Sequence, residues 1–433
     1  MAPPVRPERS EPGGRAESNG GERRAASPRL HYGWVVVGTG TLSIFACLGF
    51  GRFALGMLLP SMASSLSLSY SQLGWIGTGN FVGYLAAVLV CGALAARLGP
   101  RLLIFAALLL VAASMWLMSS AGGFASLLLL YAATGVGSGA ANVPVQGLVA
   151  RWFDASVRGR AAGFVSIGSG FAIIVSGRLI PFINRREGSG GWRTSWMVLS
   201  LAVAAIAVLA LLLFRNRPEE KGLRPYGSDA RPAAAAPAAA PAHPRFHARG
   251  AVWLLGFIYA IFGYTYAIYV TFIVTALVRE RGLTESAAGT FWSTVGLLSL
   301  LSGPVFGGLS DRLGRRAGLM LVFSFQLVAY VLAGAHLPGA FLWLSVGLFG
   351  LVAWSVPTIM VAAVADLVGV DRALPAFGFI TFFFGVGQIA GPAVAGVLAE
   401  RTGTFSSSFF MAAAFAGAAI AASAFLKRAS APG

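Results

Sequence analysis

Charge is what this chain has least of. Asp, Glu, Lys and Arg make up 11% of 433 residues, against 57% hydrophobic residues and a mean hydropathy of +0.75. A soluble protein of this length cannot cover its surface with so few charges, whereas lipid solvates apolar side chains, so a membrane-embedded chain is implied. Cysteine is nearly absent. Cys47 and Cys91 both fall inside apolar runs, which excludes a disulfide framework and a zinc site. The four histidines, His31, His243, His247 and His336, are scattered without metal-ligand spacing. Paired carboxylates on a helix face, a nucleotide-binding loop and a Gly-x-Ser-x-Gly elbow are missing as well. With no catalytic constellation, the chain is expected to be no enzyme and to hold no metal or cofactor.

Acid is scarcer than base, 15 against 32 residues, giving a net charge of +17. The location of the base argues against nucleic acid as a partner. Six Lys/Arg lie in the first 30 residues and seven between Arg215 and Arg249, and most others occupy short turns between apolar runs. That distribution sets membrane topology and makes no basic face with interleaved aromatics. Residues 1–30, rich in Arg, Glu, Gly, Pro and Ser, lack the apolar core of a signal peptide and read as a disordered tail.

About 20 mostly apolar residues cross a bilayer, and twelve segments qualify. In the first half they are 32–62, 70–96, 102–121, 124–150, 159–183 and 192–214; in the second, 250–277, 286–310, 317–335, 339–365, 374–399 and 405–426. The expected organisation is a tail (1–30), a six-helix bundle (31–214), a Pro- and Ala-rich flexible or extended linker (215–249), a second bundle (250–427) and a short tail (428–433). Placing the N-terminus in the cytoplasm puts 24 Lys/Arg on that side and 6 on the other, so both termini and the linker are expected to be cytoplasmic.

One ten-residue segment says most. Gly307-Gly308-Leu309-Ser310-Asp311-Arg312-Leu313-Gly314-Arg315-Arg316 is echoed 215 positions earlier by Gly92-Ala93-Leu94-Ala95-Ala96-Arg97-Leu98-Gly99-Pro100-Arg101, with two glycines and two arginines at matching offsets. Pro144 and Pro357, and Gly168/Gly170 and Gly385/Gly387, repeat at nearly the same interval. Two parallel six-helix repeats with a site at their interface is the architecture this duplication implies. The paired basic turns and the twelve spans resemble the major facilitator superfamily over roughly residues 31–427. The resemblance implies an all-α integral membrane protein of two pseudo-symmetric six-helix bundles. It also implies that Asp311 caps a neighbouring helix and helps hold the cytoplasmic side closed, a latch weakened in the first half, where Ala96 stands at the acidic position. Arg97, Asp311, Arg312, Arg315 and Arg316 then act in gating and topology. His31-Tyr32-Gly33-Trp34 and Arg151-Trp152-Phe153, followed by Arg158-Gly159-Arg160, resemble bacterial monocarboxylate and oxalate/formate porters. Those porters place a substrate-binding arginine in the eighth helix, and here span eight has no basic residue before Arg312.

Arg52 is the sharpest candidate for chemistry. A membrane-buried arginine costs on the order of 2.5–3.5 kcal/mol on insertion scales and normally faces a cavity or a partner. No carboxylate lies within the first-half spans to neutralise it, so it either meets an anionic substrate through a bidentate contact or snorkels to helix-end carbonyls. Asn142 and Gln146, one turn apart in span four, line a cavity or bond helix to helix; Asn80 and Tyr84 repeat that spacing in span two. Tyr259 and Tyr266 share a face of span seven, and their hydroxyls suit a carboxylate, with aromatic packing the alternative. Gln388 lies among Gly385, Gly387 and Gly391 in span eleven, and Trp292 and Trp354 are further candidates to border a cavity. Asp366, ending span ten, serves proton coupling or a gate.

The expected function is secondary active transport of a small organic anion, a monocarboxylate above all, across a bacterial inner membrane by alternating access. Proton coupling is one option and anion exchange another. The expected partners are the substrate, protons and lipid, with the protein a monomer. Drug or metabolite efflux is the rival within transport, and a channel or non-transporting sensor the rival outside it.

Overall fold

The computed structural model describes residues 31–228 and 250–426. The tails expected at 1–30 and 428–433, and the linker beyond residue 228, lie outside the described residues. Twelve helices are long and apolar enough to cross a membrane: Tyr32–Ser65, Tyr70–Leu98, Pro100–Met118, Phe124–Trp152, Ala155–Glu187, Gly191–Leu213, Gly250–Arg279, Glu285–Leu313, Arg315–Gly334, Gly339–Val368, Pro375–Thr402 and Ser406–Ala424. They are numbered here as spans one to twelve. The face bearing the turns at Gly99 and Gly314 is called the basic face.

Local signals fix where the helices begin and end. Ser69 and Gln72 form a reciprocal capping box before span two, and Thr284 accepts from the Ala287 N–H before span eight, each satisfying an orphan helix-end donor. Gly99 and Gly314 separate consecutive spans at φ of 77° and 87°, a region that disfavours any side chain. The duplication is visible in these boundaries. Spans two and eight are both 29 residues long, starting at Tyr70 and Glu285. The helices holding spans five and eleven are both 33 residues long, starting at Ala155 and Val370. Each pair is offset by 215, the interval separating the two basic turns in the sequence.

Three departures from regular helix matter for function. Span one contains a π-helix, Phe45–Phe53, between two α-helical stretches; such bulges frequently mark functional sites. Span ten, expected as one helix over 339–365, is two: Gly339–Val352 and Ser355–Val368. Pro357 explains the break, because it cannot donate to the carbonyl of residue 353 and its ring crowds that carbonyl. Ser302 restores part of the loss by accepting the Trp354 N–H at 2.9 Å and pairing with the Ser355 hydroxyl at 2.8 Å. Finally, the start of the linker is folded. Residues 218–221 form a short 3₁₀ turn, Tyr226 exchanges backbone bonds with Trp152 and Asp154 at 2.9 and 3.0 Å, and its ring packs on His31, Trp34 and Phe153. Aromatic contacts thus anchor the start of a segment that was expected to be flexible or extended.

The halves meet through glycine. Gly74 in span two sits where a Cβ would fall 2.4 Å from the Pro392 carbonyl of span eleven, and Gly289 in span eight where one would fall 2.1 Å from the Gly177 carbonyl of span five. Close backbone approach of this kind is how membrane helices associate, since lipid removes the hydrophobic drive. Hydrogen bonds between the halves join Thr78 to Ile389, Ser71 to Glu400, Asn184 to Glu285, Arg178 to Thr290 and Ser293 to Ile174. All lie toward the face opposite the basic one. Toward the basic face, a Cβ at Gly92, Gly147, Gly163, Gly308 or Gly378 would meet nothing within 4 Å. Among the described residues, the bundle is clasped on one face and lacks such clasps on the other.

Candidate substrate site

The π-helix delivers Arg52 to the middle of the first half. Arg52 is 9% exposed. Its Nε donates to the Asn80 Oδ1 at 3.3 Å. Asn80 donates in turn to the Tyr131 carbonyl at 3.2 Å, and the Tyr131 hydroxyl donates to the Arg52 carbonyl at 2.7 Å. The guanidinium carbon stands 4.2 Å from the Tyr84 ring centre and 4.9 Å from that of Phe81, and Asn142 donates to the Tyr84 hydroxyl at 2.8 Å. Three spans, one, two and four, therefore fix the plane of one guanidinium. The Nη2 atom is buried and has no partner. Beside it is a void of ≈ 10 Å³ lined by Arg52, Asn80, Tyr131, Gly56, Val270 and Thr271 among others, room for about one ordered water. Arg52 enters no ion pair among the described residues; the pairs present there are those of Arg315 with Asp311 and Asp366. The result is a desolvated, oriented cation with a free donor, the arrangement an acceptor anion completes.

The second half presents aromatic rings where the first presents polar groups. From Phe377 the rings run to Tyr259 (6.2 Å), Phe384 (4.7 Å), Phe262 (5.7 Å), Tyr266 (5.5 Å), Trp354 (5.5 Å) and across to Phe53 (5.6 Å) of span one. Trp354 caps the second piece of the broken span ten, and its Nε1 is buried without a partner.

The structure thus brings Arg52, Asn80, Tyr84 and Asn142 together, and places Tyr259, Tyr266 and Trp354 in one ring series that reaches Phe53, the neighbour of Arg52. Gln146 is half-buried one turn beyond Asn142. Gln388 is 2% exposed and lies in the crossing of spans seven and eleven, where Gly387 and Gly391 press on the carbonyls of Ala260 and Tyr264; it has no hydrogen bond among the described residues. Trp292 of span eight borders the lining of the void beside Arg52, its ring lying 3.8 Å from where a Gly56 Cβ would stand. Asp366 accepts from the Arg315 Nε at 2.8 Å, and Asp311 also pairs with Arg315; all three lie on the basic face of the second half. Arg97 and Arg312 are exposed there, and Arg316 is half-buried. Sequence reasoning missed Tyr131 and Phe81. A signal for Tyr131 was present, since Tyr131, Thr134, Ser138 and Asn142 recur at spacings of three, four and four, one polar stripe on span four.

Residues 44–425 match the model of a family described as the uncharacterised MFS-type transporter YbfB. The chain belongs to the major facilitator superfamily. Among its relatives, the hexuronate transporter of Bacillus subtilis is 25% identical, over 84% of this chain and 88% of its own. The probable sulfoacetate transporter SauU of Cupriavidus necator is 26% identical over 87% and 89%. A bacterial homologue of the human lysosomal transporter Spinster, solved inward-facing and unoccupied, matches with a TM-score of 0.68 over 92% of this chain and 95% of that one at 15% identity, which shows a common fold. This chain is accordingly a multi-pass transporter and not an enzyme.

Proposed function

We propose that this transporter carries a small organic anion, a monocarboxylate or a chemically similar monoanion, by alternating access, with Arg52 as the residue that meets the anion. The carrying observation is the buried, unpartnered Nη2 of Arg52, a cation held by neutral groups without a carboxylate. The names of two relatives, a hexuronate and a sulfoacetate transporter, point to the same charge type. The excess of Lys and Arg on the basic face supports a cytoplasmic placement of that face and of both termini in a bacterial inner membrane, so the conformation described is inward-facing. Alternating access then consists of releasing the glycine clasps on the opposite face and closing the basic one. Coupling runs through the substrate acid itself or through exchange, because Asp366 is engaged by Arg315 and the first-half spans hold no acid before Glu187, the last residue of span five.

Uptake into proteoliposomes tests the reading. Arg52→Gln should abolish saturable uptake of acetate, lactate and sulfoacetate while the melting temperature in detergent holds, and Arg52→Lys should restore part of it. Unchanged uptake by Arg52→Gln defeats the proposal. Uptake driven by an imposed pH gradient identifies symport; its absence with persisting counterflow identifies exchange. Efflux of apolar compounds is the weaker reading, since the buried charge of Arg52 would then have no use.

A further inference from the structure

We propose that the anion carried at Arg52 has a planar, apolar body, as in an aromatic or conjugated carboxylate, and is not a polyhydroxy acid. This rests on the reading of Arg52 as the anion site and narrows its substrate class. Two observations carry it. The first is the seven-ring series from Phe377 to Phe53. Tyr259 and Phe384 are nearly parallel, at 18°, as are Phe262 and Phe384, at 16°. Tyr84 of the first half lies under the Arg52 guanidinium, 4.2 Å from its carbon to the ring centre. Such faces bind a flat ring by offset stacking or edge contact and give little to an sp³ chain of hydroxyls.

The second observation is the state of the polar groups. Asn80 spends its oxygen on the Arg52 Nε and its amide on the Tyr131 and Gly51 carbonyls. Tyr131 donates to the Arg52 carbonyl, and the Asn142 amide donates to Tyr84. What remains buried and unpartnered at Arg52 and in the ring series is donor only: Arg52 Nη2 and Trp354 Nε1. A carboxylate is acceptor only and matches that inventory. A polyol brings a donor with every hydroxyl; each one buried unpaired against the ring faces is penalised, which is how such a site rejects it.

The test is binding to the purified full-length carrier by titration calorimetry and competition in counterflow, with benzoate, acetate, glucuronate and benzamide as probes. Benzoate should bind about tenfold or more tightly than acetate or glucuronate, the scale of one or two ring contacts, and benzamide, lacking the charge, should not compete. Tyr259→Leu and Phe384→Leu should lower the ratio of benzoate to acetate affinity toward one. Acetate or glucuronate binding as well as benzoate to the wild type overturns this inference and leaves the Arg52 reading intact, provided Arg52→Gln still loses all of them. Equal binding of benzamide and benzoate, or Arg52→Gln binding benzoate as the wild type does, overturns the Arg52 reading and this inference with it. The wild-type ratio is decisive even if a ring variant fails to fold.

Discussion

The crossing of spans five and eight gives the most direct test of alternating access. Gly289→Ala places a Cβ 2.1 Å from the Gly177 carbonyl oxygen and 2.8 Å from the Pro181 ring. Neither neighbour is a flexible side-chain tip, so the helices must separate. Overpacking of this kind costs about 1–3 kcal/mol. The cost falls only on the conformer in which the opposite face is clasped, because the crossing parts when that face opens. At 1.4 kcal/mol per tenfold, the clasped population falls relative to the open one by a factor of about 5 to 150. Alanine is also the better helix former by about 0.5–1 kcal/mol, but that gain applies to both conformers and cancels. Gly308→Ala, in the same span with nothing within 4 Å of its Cβ, is the matched control. Spin labels at Ser65 and Arg401, both exposed on the opposite face, report the two populations by distance, and both native cysteines are buried and do not compete for label. Gly289→Ala should move weight to the longer distance, and Gly177→Ala, which presses on the Gly289 carbonyl at 2.6 Å, should do the same. The double variant should show less than the sum, since both defects separate the same pair of helices. A Gly289→Ala distribution indistinguishable from that of Gly308→Ala would refute the account of the clasp.

Ser302→Ala deprives the Trp354 N–H of its partner, while the Ser355 hydroxyl keeps the Ser302 carbonyl, and should lower stability by about 1–3 kcal/mol, read by denaturation in mild detergent; a shift no larger than that of an exposed serine control counts against the role given to Ser302. Arg315→Gln should scarcely move the melting temperature, because both of its ion pairs are partly exposed and such pairs contribute about 0–1 kcal/mol, yet it should change labelling rates on the basic face if these residues gate it. Tyr226→Ala should expose residues 222–228 to protease by removing the ring contacts with His31, Trp34 and Phe153. The Asp154 carboxyl, capping span five through the Ser156 N–H, is held below its ordinary value of 3.8, mainly by that bond. Its folded value being lower than its unfolded one, the cap contributes in full above pH 3.8 and is lost as pH falls further, so Asp154→Asn should narrow the difference between melts at pH 3 and pH 7.

Much of the fold was legible because it follows from solvent and repetition. Twelve apolar runs, turns of like charge and a 215-residue echo determine spans, pairing and pseudo-symmetry with little input from tertiary detail. The break in span ten was not, although Pro357 was in plain view, because proline is tolerated in a membrane helix whenever neighbours satisfy the freed groups. Pro144, at the corresponding place in span four, leaves its helix unbroken. Arg52 stood out by its cost in lipid. Its partners did not, since Asn80 and Tyr84 are ordinary packing residues until the π-helix turns Arg52 toward them, and no sequence pattern announces a π-helix. The folded start of the linker was likewise hidden by its prolines, and it is the aromatic cluster of His31, Trp34 and Phe153 that holds it.

The two basic turns show how a duplicated motif keeps its backbone while changing its chemistry. Gly99 and Gly314 hold nearly the same conformation, at φ 77° and ψ 146° against φ 87° and ψ 153°, so both copies reverse the chain in the same way. In the second half the turn is tied by charge: Arg315 bridges Asp311 of its own turn and Asp366 at the end of span ten. In the first half Ala96 removes that option, and the turn is tied by the end of span six and the chain just beyond it instead. The Asn216 oxygen accepts the Arg101 N–H at 3.0 Å, and the Arg101 Nε donates to the Leu211 carbonyl at 2.7 Å. An acid at position 96 is therefore unnecessary for holding the first turn in this conformation. The asymmetry has a mechanical consequence. The second turn is fastened to span ten by charge, whereas the first is fastened to the end of span six and, through Asn216, to the entry to the linker, whose Tyr226 packs against His31 on the basic face. Movement of the linker bears on the first half directly and on the second only through the clasp, so what the sequence presents as a lost acid is a transfer of the fastening from a carboxylate to the connecting segment.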